Sequence, residues 1–243
     1  MAIATVPIMQ DAVQVQRDYY RNTAGLYDAA HITEVGEHSF ALAFMLSMIK
    51  FYHIESVLDI GSGTGRAVHS IKNSFEAIRV VGIEPCAELR EIGYSKGLSE
   101  EELRDGDAQH LAFADGTFDL VCEFGALHHI PKPHMAVSEM MRVAKTAIFI
   151  SDCNNFGNGG RLSRVAKQAI REVGLWKAAD FIKTRGKGYS ISQGDGLAYS
   201  YSVYNDYPAI SKTCKSVHIM NTTPAGVNPY RSASHIALLG LKN

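Results

Sequence analysis

The stretch Val57-Leu58-Asp59-Ile60-Gly61-Ser62-Gly63-Thr64-Gly65 decides how the rest of the chain is read. Its first half is a short apolar run with strand character. Its second half spaces three glycines by two, and AVHSIKNSF (67–75) then takes up a helical period. A glycine-rich turn between a strand and a helix lets backbone approach a ligand closely. It also permits positive φ and aims free N–H groups at an anionic group. A plain tight turn would show the same glycines, so the flanking residues have to decide.

Working outward, short apolar runs alternate with helical segments. SVLDI (56–60), IRVVGIE (78–84), FDLVCEF (118–124) and AIFISD (147–152) read as strands, separated by helices over 67–75, 86–97 and 134–144. That alternation implies right-handed βαβ crossovers and a doubly wound, mainly parallel α/β sheet. Residues 8–30 and 34–52 read as two helices, the second with an apolar stripe of Phe40, Phe44, Met48 and Phe51. SVHIM (216–220) and SHIALLGL (234–241) read as the last two of seven strands. The expected organisation is a single domain. It has a helical cap over 1–54, a cofactor-binding core over 55–153, an inserted lid over 154–210 and the last strands over 211–243.

Glu84 ends the second strand 19 residues beyond Gly65. In such a sheet that carboxylate lies beside the first loop, where it can accept from both hydroxyls of a ribose. Two ligands then compete, a nicotinamide dinucleotide and S-adenosylmethionine. The dinucleotide fingerprint is GxGxxG, whereas this loop reads DxGxGxG from Asp59 and has Arg66 in place of the last glycine.

With Asp59, the glycines and Glu84 in place, residues 55–152 resemble the class I S-adenosylmethionine-dependent methyltransferases of small-molecule type. DGDAQHLAFADGTFDLV (105–121) and ALHHI (126–130) resemble that family's segments around its fourth strand. The resemblance implies that Gly61, Gly63 and Gly65 border the methionine part of the cofactor and that Asp59 fixes the loop and the amino group. It further implies that Glu84 holds the ribose, with Asp107 and Ala108 at the adenine. Glu123, ending the fourth strand, joins the same set. YYRNTAGLYD (19–28) resembles the family's entry segment, which makes Tyr20 and Tyr27 aromatics that close over the cationic cofactor.

Methyl transfer needs alignment of an acceptor behind the methyl carbon and exclusion of water, with a base where the acceptor carries a proton. His128, His129 and Asp152 end the fourth and fifth strands and are the candidate catalytic residues. The other histidines, His38 and His235 among them, read as surface or packing residues. EFGA (123–126) occupies the place of an Asn/Asp-Pro-Pro-Tyr/Phe motif, which argues against nucleic-acid bases and protein glutamine as acceptors.

Composition narrows the partners. A net charge of −1, with 46% hydrophobic and 20% charged residues, gives no global pull toward nucleic acid or an acidic membrane. Four scattered cysteines form no metal or disulfide pattern and fit a reducing cytoplasm, so no metal is expected. The apolar stretches are too short to span a bilayer, and no leader segment is visible. The 154–210 segment carries eight Lys/Arg over 161–187, against Glu172 and Asp180. Tyr199, Tyr201 and Tyr204 follow. The cations read as a solvated face or as a lid for an anionic acceptor, and the tyrosines as core or as a pocket for an aromatic acceptor. The acceptor is expected to be a small molecule, through O, N, C or S. The alternatives are an NAD-linked oxidoreductase and a non-catalytic S-adenosylmethionine-binding module.

Overall fold

The computed structural model describes residues 6–31, 35–192 and 194–242. The runs over 56–60, 79–83 and 118–124 are nearly continuous in buried, mostly β-branched or large apolar side chains. Strands of that kind must be covered on both faces, which selects the centre of a parallel sheet. They form β1 (Ser56–Ile60), β2 (Arg79–Ile83) and β4 (Phe118–Phe124), with β1 parallel to both others. β3 is two residues, Leu103–Arg104, too short to leave a periodic signal. β5 (Ala144–Cys153) starts three residues earlier than its apolar run predicts, because it continues directly out of the preceding helix. With β8 (Ser216–Asn221) and β9 (His235–Leu241) the sheet has seven strands, ordered β3-β2-β1-β4-β5-β9-β8. β9 runs antiparallel to both β5 and β8.

Helices pack on both faces. α3 (Glu37–Phe51) and α4 (Arg66–Ser74) cover one face through Met45, Ile49, Val68 and Ile71. α6 (Pro133–Val143) covers the other, together with Tyr201, Val203 and Ile210. α5 (Ala87–Ser95) follows β2. The N-terminal cap is α1 (Val6–Thr23) and α2 (Tyr27–His31), separated by a 3₁₀ turn at Ala24–Leu26. One expected helix over 8–30 is therefore broken around Gly25. The second expected helix was read from residue 34, which lies outside the described residues; α3 starts at Glu37.

In α3 the buried face differs from the sequence reading. In α3 the buried residues are Ala41, Leu42, Met45 and Ile49, while Phe40 and Phe51 are exposed. α3 is apolar almost all round, so periodicity does not single out a face, and the side carrying Ala41 lies closest to the sheet. In α7 (Arg161–Glu172) the apolar stripe of Leu162 and Val165, extended by Val173, faces outward. Its polar side holds the helix down: Lys167 donates to the Asn155 and Asn158 carbonyls, and Gln168 donates to those of Phe156 and Arg231. α8 (Trp176–Lys183) follows, then a hairpin of β6 (Tyr189–Ser192) and β7 (Gly196–Tyr199), then α9 (Tyr207–Thr213) leading into β8.

Candidate active site

The glycine loop is shaped by its own hydrogen bonds. The Ser62 N–H donates to Ile83 O at 3.0 Å, tying the loop to β2. The Ser62 hydroxyl donates to Asp59 O at 2.9 Å, and the Gly65 N–H to Ser62 O at 2.9 Å. Gly61, Gly63 and Gly65 all have positive φ, at 64°, 55° and 83°. A Cβ on Gly61 would sit 2.4 Å from the Ala126 side chain, and one on Gly63 would sit 2.7 Å from the Tyr27 hydroxyl. Gly65 abuts Leu98 and caps α4, so its glycine serves helix packing.

Two carboxylates flank this loop. Glu84 is buried and takes the Gly63 N–H at 3.0 Å and the Cys86 N–H at 2.9 Å, one on each oxygen. Burial pushes its carboxyl up to about 7, against those two donors. Asp59, also buried, is raised by burial to about 6, with Arg66 opposing. Asp28 from α2 accepts from Thr64 at 2.6 Å and pairs with Lys96, fastening the N-terminal cap to the loop.

Two cavities meet over the loop. One of about 200 Å³ runs past Ile83, Glu84, Leu89, Asp107 and Ala108. The other, about 420 Å³, is walled by Glu37, His38, Asp59, Arg66, His128 and Asp195, with His235 beside them. Both are lined by Tyr20, Tyr27, Gly61, Phe124, Gly125 and His129, so they form one cleft with an aromatic waist. Tyr20 sits edge-on to both Tyr27 and His129, at 5.7 and 5.9 Å between ring centres.

The far wall is built on the two histidines. Nδ1 of His128 lies 2.7 Å from Asp152, whose other oxygen accepts the Leu127 N–H at 2.9 Å. Nδ1 of His129 donates to Leu197 O at 2.6 Å. Both Nε2 atoms face Asp195, each 3.4 Å from one of its oxygens. Burial works against a charge on His128, but Asp152 and Asp195 outweigh it and push the imidazole up to about 10. His128 therefore holds its proton through the neutral range. Hydrogen bonds from the two histidines hold Asp195 well below the usual carboxylate range. His38 is the opposite case: burial pushes it down to about 4, leaving a neutral ring with Nδ1 2.9 Å from the Ser151 hydroxyl.

Of the residues singled out in the sequence, Tyr20, Tyr27, Asp59, Gly61, Glu84, Asp107, Ala108, His128 and His129 line the cleft. Gly63, Gly65, Glu123 and Asp152 do not: they stand behind it. Glu123 is wholly buried, accepts the Ala126 N–H at 2.9 Å and leaves Oε1 without a partner, so burial drives its carboxyl up. His38 and His235, read as surface or packing residues, belong to the cleft wall instead. The reason is strand direction: β9 is antiparallel and pairs His235 with Cys153, so its first residue sits at the C-terminal edge of the parallel strands. Arg66 and Asp195 were also missed as wall residues. The glycines flanking Asp195 mark a turn, the one local signal it carried. None of the eight cations of 161–187 lines either cavity, and neither do Tyr199, Tyr201 and Tyr204. Tyr201 is core and donates to Asp206 at 2.8 Å, while Tyr204 stacks on Tyr230.

Residues 58–149, from β1 through most of β5, match the family model described as "Methyltransferase domain". This segment is similar to methyltransferase domains, and the sheet it builds has the methyltransferase fold. A demethylmenaquinone methyltransferase of Lactiplantibacillus plantarum is 28% identical over 141 residues, which is 52% of this chain and 60% of that protein. A phosphatidylethanolamine N-methyltransferase of Cereibacter sphaeroides is 35% identical over 121 residues, 47% and 58% of the two chains. The chain thus spans less than two thirds of the length of these relatives. Beyond the matched segment the fold still agrees. A Thermotoga maritima structure titled as a SAM-dependent methyltransferase, possible histamine N-methyltransferase, covers 93% of this chain and 99% of its own at a TM-score of 0.57, with 16% identity.

Proposed function

We propose that the protein transfers a methyl group from S-adenosylmethionine to a small polar acceptor. The observation that carries this reading is the single cleft formed by the two cavities across the Gly61 loop, apolar on one side and ringed by titratable groups on the other. The residues fit the cofactor. Ile83, Leu89 and Ala108 offer an apolar slot for adenine, and Glu84 has acceptor lone pairs left for a ribose. Asp59 and Arg66, both on the larger cavity, match the amino and carboxylate groups of a methionine moiety. The waist of Tyr20, Tyr27 and Phe124 suits a sulfonium.

When bound, the cofactor supplies an activated methyl group on a positive sulfur. What the chain's own residues do is position and dry the acceptor. The β6–β7 hairpin, carrying Asp195, is the part of the insertion that covers the cleft; α7 and α8 stand off it. His38 lies on the larger cavity as a neutral ring held by the Ser151 hydroxyl, a weak base that serves as a hydrogen-bonding wall group. His128, His129 and Asp152 act as the wall that shapes and orients the acceptor. The relatives above are named for methylating small molecules, which supports an acceptor of that class rather than nucleic acid. No described helix is long and apolar enough to cross a membrane. Four free cysteines support a reducing, cytoplasmic setting.

The test is a thermal-shift panel with S-adenosylhomocysteine, S-adenosylmethionine and NADH. S-adenosylhomocysteine at about 100 times its Kd should stabilise the fold by about 2.7 kcal/mol. For a chain of this length that is a rise in Tm of about 5–10 °C. A rise with NADH alone would overturn the reading in favour of an oxidoreductase. Stabilisation with no turnover across an acceptor screen would favour a binding module.

A further inference from the structure

His128, His129 and Asp195 form more than a wall. Both imidazoles are anchored through Nδ1, one to a buried carboxylate and one to a backbone carbonyl. That arrangement fixes the ring orientation and leaves Nε2, once a metal displaces its proton, as the ligating atom. Both Nε2 atoms and the Asp195 carboxylate then converge on one point of the larger cavity, and the three donor atoms all lie within 4.8 Å of one another. On a tetrahedral ion with bonds of about 2.0–2.1 Å, neighbouring donor atoms lie about 3.3 Å apart. The two Nε2–Asp195 separations are 3.4 Å, each to a different oxygen of the carboxylate. The rings themselves are 4.0 Å apart and tilted by 44°, so neither blocks the other's approach.

We propose that His128, His129 and Asp195 bind one divalent transition-metal ion, zinc or a similar borderline cation, at the acceptor end of the cleft. Two imidazoles and one carboxylate suit that class of ion and are a poor set for calcium or magnesium. Three protein ligands leave a coordination position open toward the cavity, which would take an oxygen, nitrogen or sulfur of the acceptor. The ion also joins the β6–β7 hairpin to the strand-four turn, so it would hold the cover shut. Sequence spacing conceals the site, since Asp195 lies 66 positions beyond His129. The assignment of the open position rests on the methyltransferase reading; the metal site itself does not.

The experiment uses the full chain, stripped with a chelator. Zn²⁺ binding is followed by calorimetry and Co²⁺ binding by its visible d–d absorption, with S-adenosylhomocysteine binding measured separately on each sample. The expected result is one equivalent of either ion and an absorption pattern of low coordination number. Asp195→Asn and His129→Gln should each weaken binding by at least about 10–100-fold, the loss typical of disturbing even an outer partner of a ligand. Both variants should remain folded when stripped, with a single cooperative melting transition. Because Asp195 is half exposed on a hairpin, its variant tests the site without disturbing the core. No ion bound by the wild type, or binding equal in wild type and both variants, overturns the proposal even if S-adenosylhomocysteine binds normally. Metal binding without S-adenosylhomocysteine binding would leave the site standing and remove the methyltransferase reading.

Discussion

Glu84 is the residue through which pH should act on the cofactor end of the cleft. Its carboxyl titrates near 7 in the fold and near the ordinary value of about 4.3 in the unfolded chain. A carboxyl raised on folding favours the protonated native state. Its contribution to the stability of the ligand-free protein is therefore present below about pH 4 and lost as pH rises through 7. Ligand binding runs the other way, because only the ionised carboxylate is a full acceptor for two hydroxyls. The affinity for S-adenosylhomocysteine, measured by calorimetry, should fall several-fold between pH 8 and pH 6; in Glu84→Gln it should be weak and flat over that range. Gly63 gives a second prediction. Alanine there would carry φ near +55° and push its Cβ against Tyr27. Backbone strain alone is about 1–2 kcal/mol, so Gly63→Ala should melt earlier, and displacement of Tyr27 from the cleft should weaken S-adenosylhomocysteine binding measured by calorimetry. Asp59, Gly61 and Glu84 were legible in the sequence because each sits at or next to a strand end whose direction the sequence reveals, whereas Ala108 was reached only through resemblance to a family segment. Asp195 and His235 were not, because one arrives on a hairpin inside an insertion and the other depends on β9 running backwards.

At the scale of elements, the insertion is held at its neck by a buried clasp. Asn154, fully buried at the end of β5, donates through Nδ2 to Ala233 O at 3.0 Å. It also accepts the Ser202 hydroxyl at 3.0 Å, where the chain returns. Asn154→Ala would strand those partners in the interior, a cost of about 2–3 kcal/mol. The Tm should drop by roughly 5–10 °C, which a calorimetric scan would read, while the glycine loop keeps its form. The strands of the core were legible because burial on both faces writes itself as unbroken apolar runs. The helix faces were not. α3 is apolar on every side, and α7 is pinned by Lys167 and Gln168 to backbone carbonyls that no periodicity reports.

Across the whole molecule, polar and apolar surfaces are divided unusually. The larger cavity is walled by charged and titratable groups, whereas Leu162, Val165 and Val173 point into solvent. Replacing those three with serine should change stability by no more than about 0.5 kcal/mol each and leave S-adenosylhomocysteine affinity unchanged. A large loss of Tm would show that they pack against something in the folded chain. The seven-stranded, mainly parallel sheet could be anticipated from the alternation of runs. The insertion's internal structure could not, since its apolar pattern describes a buried helix and the fold uses it as an exposed one.

The clasp at Asn154 and Ser202 has a consequence for how such a protein diversifies. The chain leaves the core and re-enters it at two residues that touch, so everything from 155 to 201 is a closed excursion. Lengthening it costs only the slow, logarithmic entropy of a larger loop. This excursion could therefore be exchanged whole, with the Gly61 loop and the sheet beneath it left unchanged.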